Sequence, residues 1–188
     1  MKQALCKFFA VCTLACTVYG CGHDELTPED ENQIRWLIDN LGVQTGPTWA
    51  RVCQRLVEQY GPKAVPHLIE NLGSTNSNIR RGCAYCLGHI RDREAIDGLR
   101  LRLGDPDILV RLECAASLCM MEEYDGVSLL ILALRHDETL VRCAAIQTLA
   151  GSFSQDFDYD PKASPEARAP AVERWETWWA QNQGNLAE

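Results

Sequence analysis

The stretch that decides the fold is Leu103-Gly104-Asp105-Pro106-Asp107-Ile108-Leu109-Val110-Arg111-Leu112-Glu113-Cys114-Ala115-Ala116-Ser117-Leu118. A short polar turn leads into apolar residues at helical spacing, and the pattern returns every 31 residues. One step back gives Asn78-Ile79-Arg80, Cys83-Ala84 and Leu87-Gly88. One step forward gives Leu134-Arg135-His136-Asp137, Val141-Arg142 and Ala144 to Leu149. The aligned columns are Leu68/Leu99/Leu130, Leu72/Leu103/Leu134, Ile79/Val110/Val141 and Leu87/Leu118/Leu149, with one polar column, Arg80/Arg111/Arg142. A weaker copy precedes them, with Ile34, Leu37, Leu41, Val52, Cys53 and Leu56 in register. A repeat of this size implies a solenoid, in which each unit buries its apolar face only against its neighbours.

Helix signals divide each repeat in two. Thr27 reads as an N-cap before Pro28, so a first helix is predicted over 28–41. Further helices are predicted over 47–61, 62–72, from Asn76 to Ile90, and over 93–103, 106–121, 125–135 and 138–150, the sixth capped by Asp105-Pro106 and the eighth by Asp137. Gly42, Gly61, Gly73 and Gly104 stand where helices end, in the left-handed conformation that glycine tolerates. After Ala150 the repeat stops. Phe153 to Ser164 is an acidic aromatic loop. Ser164-Pro165-Glu166 resembles a helix start, but Pro170 interrupts it, so the last helix is predicted from Pro170 to about Asn182. Val172, Trp175 and Trp179 share one face of it, as an end cap needs; glycan stacking by the tryptophans is the competing use. The expectation is an all-α fold: an α-solenoid of about four helix pairs over 28–152, closed by a loop and capping helix over 153–188.

The residues quoted above, from Leu103 to Leu118 and from Leu134 to Leu149, resemble short bacterial HEAT repeats of the phycobilisome-lyase type. The resemblance spans roughly 34–152. It implies a fold and a protein-binding surface, and leaves the task open. It also implies that the repeated arginine joins a ladder with loop acids such as Asp107 and Glu138.

The start of the chain carries an address. Lys2 and Lys7 precede an apolar run from Phe8 to Tyr19, too short to span a bilayer and suited to a signal peptide. Val18-Tyr19-Gly20-Cys21 resembles a bacterial lipobox, which implies cleavage before Cys21 and a lipid on its sulfur. The competing reading is an ordinary secretory signal with a chance cysteine. Residues 1–20 are then leader and 21–27 a tether, and the protein is exported and anchored in the cell envelope, at the periplasmic face or the outer membrane. Without the leader, 16 Lys and Arg face 26 Asp and Glu, a net charge of −10. That balance, with no basic cluster, argues against nucleic acid as a partner.

Chemistry is sparse. Of ten cysteines, Cys6, Cys12 and Cys16 leave with the leader. Cys83 and Cys114 share a column with Ala145, and Cys53 shares one with Ala84, Ala115 and Ile146, so the remaining cysteines read as small buried apolar residues. Helices packed about 8–10 Å apart hold facing positions beyond the usual disulfide reach of about 4.4–6.8 Å. One bridge stays open as an alternative, with Cys83 and Cys86 the pair to watch. Asp156, Asp158 and Asp160 alternate as in a calcium loop, but Pro161 and Ala167 stand where glycine and a bidentate glutamate are needed. None of His23, His67, His89 and His136 is followed by glutamate. No cofactor, metal or catalytic residue is expected.

The candidate partner surface lies opposite the core residues of the second helices. It comprises Arg81, Tyr85 and His89, then Leu112, Ala116 and Met120, then Cys143, Gln147 and Gly151. The leading functional reading is a non-enzymatic scaffold that binds another protein there. The alternative is an enzyme of lyase-like or thiol-redox type on the same repeat fold.

Overall fold

The computed structural model describes residues 26–43 and 46–186. The predicted leader, Cys21 and His23 lie outside them. Among the described residues there are nine α-helices and no strand: α1 (Pro28–Leu41), α2 (Gly46–Gln54), α3 (Val65–Asn71), α4 (Ser77–Ile90), α5 (Ile96–Arg102), α6 (Ile108–Met120), α7 (Val127–Ala133), α8 (Thr139–Phe153) and α9 (Pro165–Leu186). Arg55–Tyr60 continues α2 as a π-helix, and 3-10 turns at Gly61–Ala64 and Arg93–Ala95 lead into α3 and α5. The chain is an α-solenoid of four helix pairs with a ninth helix at its end. None of the described helices is long and apolar enough to cross a membrane.

Local sequence explains most boundaries. Thr27 Oγ1 accepts from the Asp30 N–H at 3.1 Å and Asp30 returns a bond to the Thr27 N–H, a reciprocal cap that starts α1. Asn76 and Asp107 do the same service for α4 and α6 with one bond each, at 2.9 and 2.8 Å. The cap of α6 is thus Asp107, not Asp105-Pro106, because Asp105 is engaged elsewhere. Nor does Asp137 cap α8, whose N-cap residue is Glu138, without a side-chain bond. Of the four glycines expected in the left-handed conformation, only Gly61 has a positive φ, +50°, and its ψ of −128° lies outside the left-handed helical region. Gly42 ends α1 at φ −75°, and α4 and α8 end instead on left-handed Arg91 and Ser154.

The core is built in two parts that meet at α6. Val110, Cys114 and Leu118 join the first part with residues of α1 to α5. Leu112, Ala115 and Cys119 join the second with residues of α7, α8 and α9. α6 packs most extensively on α4 and also contacts α5, α7 and α8. A middle helix of a solenoid has neighbours on both sides, so it buries two faces where a terminal helix buries one.

The arginine column is structural, with a different pairing from the one expected. In each repeat the guanidinium clamps two carbonyls of its own turn. Arg80 Nη1 donates to Ser74 and Thr75, Arg111 Nη1 to Asp105 and Pro106, and Arg142 Nη1 to His136 and Asp137, at 2.6 to 3.3 Å. These acceptors are themselves 31 residues apart. Only Arg80 finds an acid. It binds Asp105 of the next repeat through two bonds, 2.7 and 2.8 Å long. Asp107 and Glu138 take no part, since their places at the starts of α6 and α8 leave the forward position to Asp105. One repeat on, that position is His136, and Arg111 has no ion pair there. Arg142 donates forward to the Pro161 carbonyl at 2.8 Å, which ties the last repeat to the loop beyond it.

α9 starts at Pro165 rather than Pro170, so Pro170 lies inside it. An interior proline costs about 3 kcal/mol. Val172 and Trp175 are both fully buried against the second core part, and each such side chain contributes on the order of 1.5–3 kcal/mol. Arg135 pairs with Glu176 at 3.0 Å, and the Trp179 indole donates to Ser128 Oγ at 3.0 Å. Tertiary packing on α7 therefore offsets the local penalty, and α9 caps the solenoid as expected.

Candidate binding surface on the second helices

The turn between one helix pair and the next fixes the phase of each second helix. In α4, Cys83, Cys86 and Leu87 point into the core, which leaves Arg81 and Tyr85 half-buried and His89 exposed. These three join Trp49 of α2 in one stack. The Tyr85 ring lies 5.0 Å from Trp49 and 4.1 Å from His89, and the Arg81 guanidinium sits 5.9 Å above the Trp49 ring. His89 Nδ1 is 3.0 Å from the Tyr85 carbonyl oxygen. The stack gains from aromatic contact and from the cation over a ring face.

On α6 the surface differs from expectation at one position. Leu112 is 3% exposed and belongs to the second core part. Leu112 packs with residues of α8, because α6 has neighbours on two sides and not on one. Ala116 and Met120 are half-buried, as a partly open face requires, and Gln147 and Gly151 on α8 are exposed. Two columns of the expected surface therefore stay accessible, Tyr85/Ala116/Gln147 and His89/Met120/Gly151. The ring contacts bring together Arg81, Tyr85 and His89; Ala116, Met120 and Gln147 belong to the neighbouring helices and make no ring contact with them.

Beside them runs the column Gly82/Glu113/Ala144, in which Gly82 is buried against Leu41 while Glu113 and Ala144 are half-buried. Glu113 stands among small residues and is densely surrounded by protein atoms. Burial pushes its carboxyl up from 4.5 to about 7, opposed by the Arg81 charge nearby. Burial likewise pushes the Tyr85 phenol up, with a contribution from Glu113. The Trp49 indole N–H, buried in the same group, has no acceptor among the described residues. A lone acid in a column of glycine and alanine was the available signal.

Two other features have structural uses. Asp156 and Asp160 accept from the Asp158 and Lys162 N–H groups at 2.9 and 2.8 Å, closing turns in the acidic loop. Among the described residues no three His, Cys, Asp or Glu side chains are grouped to hold a metal. In the cap, Phe153, Phe157, Trp175 and Trp178 pack ring against ring at 4.8 to 6.2 Å. A groove of about 790 Å³ opens beside it, lined in part by Arg93, Arg100, Glu123 and Trp179.

A family model described as HEAT repeats matches residues 48–118, from within α2 to within α6. No curated protein matches the chain.

Proposed function

We propose that this protein is a lipid-anchored scaffold or adaptor, without enzymatic activity, that binds another protein through the concave side of its solenoid. The observation that carries the reading is the accessible face of α4, α6 and α8. It offers an aromatic and cationic stack of Trp49, Arg81, Tyr85 and His89, then Glu113, Ala116 and Met120, then Gln147. Aromatic and arginine side chains with a limited apolar area are what protein interfaces favour. The matched repeats are a scaffold built of helix pairs, which suits such a surface. The acidic balance of the chain makes nucleic acid an unsuitable partner. Val18-Tyr19-Gly20-Cys21 supports the anchor, with several acyl chains holding the protein firmly where one would not.

The test has two arms. Cys21→Ser should move the protein out of the membrane fraction or leave the leader uncut. Processing and fractionation like the wild type would refute the anchor. A pulldown from detergent-solubilised membranes should lose its partner with His89→Ala or Gln147→Ala; both residues are exposed, so their truncation should cost the fold little. Retention of every partner by both variants would move binding off this face.

A further inference from the structure

The two ends of the solenoid differ. α9 closes one end, with Val172 and Trp175 buried against the last repeat. At the other end α1 packs on α2, α3 and α4, all of which follow it in the chain. Among the described residues, the side on which a preceding repeat would stack has no helix against it.

Two columns of the repeat identify that side. The first is Trp36/His67/Gly98/Leu129. A Cβ added to Gly98 would lie 3.1 Å from Leu72 Cδ1 and 3.8 Å from Ile69 Cγ2, both in the preceding repeat. His67, Gly98 and Leu129 are accordingly half-buried, whereas Trp36 is 54% exposed. The second column is Val43/Ser74/Asp105/His136. Asp105 is the acid that takes Arg80 from the preceding repeat. Ser74 and His136 are half-buried, and Val43 is 73% exposed. Both columns turn toward the preceding repeat, and the first repeat fills them with tryptophan and valine where no repeat precedes it. The terminal unit of a solenoid in water needs a polar outer face. This unit instead presents the only exposed tryptophan among the described residues.

The length of chain ahead of α1 points to what covers this end. Thr27, the cap of α1, follows Cys21 by six residues, a span of at most about 20 Å when fully extended. Trp36 stands eight residues beyond Pro28, about 12 Å along the helix. A lipid on Cys21 therefore keeps this end of the solenoid, and not the end closed by α9, within reach of the bilayer. We propose that the open end rests on the lipid bilayer, with Trp36 and Val43 seated in its interfacial layer; this rests on the anchor reading above. An indole, apolar in body with one polar N–H, suits the depth of the headgroups. The grip is apolar rather than electrostatic. On α1 the acids Glu29, Asp30, Glu31 and Asp39 outnumber the one cation, Arg35, which is itself paired with Glu31 at 3.1 Å. Anionic headgroups are not needed, and salt should not loosen the contact. The bilayer then covers the columns that a preceding repeat would cover, and leaves the face of α4, α6 and α8 open to a partner.

The full chain, as processed in cells that express it, is reconstituted into phosphatidylcholine vesicles with plain or brominated acyl chains. Tryptophan emission is compared between wild type and Trp36→Phe, so that the difference reports Trp36 alone. The expected result is that brominated lipid removes most of the Trp36 emission, at low and at high salt. In the Trp36→Phe background, Val43→Trp should restore the quenching, and Leu132→Trp, on α7, should not. These sites are exposed, so the variants should keep the wild-type helical circular dichroism. Protein that floats with the vesicles while Trp36 and Val43→Trp stay unquenched would overturn the proposal and leave the anchor standing. Quenching at Leu132→Trp instead would place the outer face of the first helices on the bilayer. A dimer by light scattering, with Trp36 unquenched, would give the open end to a second copy of the chain. Protein that does not float with the vesicles at all would overturn the anchor, and this proposal with it.

Discussion

Replacing Glu113 by glutamine isolates the electrostatics of the accessible face. A carboxyl moved from 4.5 to about 7 binds its proton more tightly in the folded than in the unfolded chain by roughly 3 kcal/mol, at about 1.4 kcal/mol per pH unit. Residual exposure of the group reduces this, so about 1–3 kcal/mol is the expected effect. The sign follows from the raised value. Below pH 4.5 the group is protonated in both states and contributes no penalty. As pH rises through 4.5 the unfolded chain releases the proton first and is favoured, and the penalty grows until the folded group ionises near 7. Glutamine keeps the shape without the ionisation. Urea unfolding of wild type and Glu113→Gln across pH 4 to 8.5 should give equal stabilities at the acid end and a more stable variant above neutrality. Other titrating groups are common to both proteins and cancel in the difference. A variant no more stable at pH 8 than at pH 4, relative to wild type, would refute the reasoning. It would mean that Arg81 or solvent compensates the charge.

Asp105→Ala should cost about 3–5 kcal/mol, because it leaves the Arg80 guanidinium buried without its partner. Arg111→Ala, which removes two carbonyl bonds and no ion pair, should cost only about 1–2 kcal/mol; equal losses in chemical denaturation would contradict the unequal ladder. Burial pulls the Asp105 carboxyl up, but Arg80 and the Asp107 N–H outweigh it and hold the carboxyl below its usual range. Its contribution is therefore present above the ordinary value of 3.8 and is lost as pH falls through the lower folded value. Leu112→Ala should destabilise the fold by about 2–5 kcal/mol, whereas Met120→Ala should cost distinctly less. A melting temperature unchanged by Leu112→Ala would return that residue to the surface.

The fold was legible because the repeat supplies its own alignment. A column that reads Leu/Leu/Leu or Ile/Val/Val three times identifies core positions without coordinates, and the arginine column showed its structural character by recurring. What the columns could not show is how neighbours differ along the stack. Leu112 shares its column with Arg81 and Cys143, yet α6 has a partner on each side and buries it. Arg80 and Arg111 look alike in sequence, but the acid that Arg80 meets comes from the following turn, and His136 replaces it one repeat later. Pro170 was read as a boundary from local propensity alone. The helix runs through it because Val172 and Trp175 are held by residues far away in the chain. Helical phase puts His89 on the exposed side, whereas Tyr85 is half-buried and packs against the first core part. Glu113 was missed because phase was counted from the apolar residues, and its meaning comes from Arg81 and Tyr85 on another helix.

The proposed meeting of the accessible face of α4, α6 and α8 with a protein at the membrane is open to direct test. Photo-crosslinking residues placed singly at His89 and Gln147 of the full chain, in membranes of cells that express it, test this most directly. Leu101 and Leu132, at 72% and 69% exposure on the first helices, serve as comparison sites. A discrete adduct of the same protein is expected from His89 and Gln147, and none of it from Leu101 and Leu132. Adducts confined to Leu101 and Leu132, or none from any of the four positions, would contradict it.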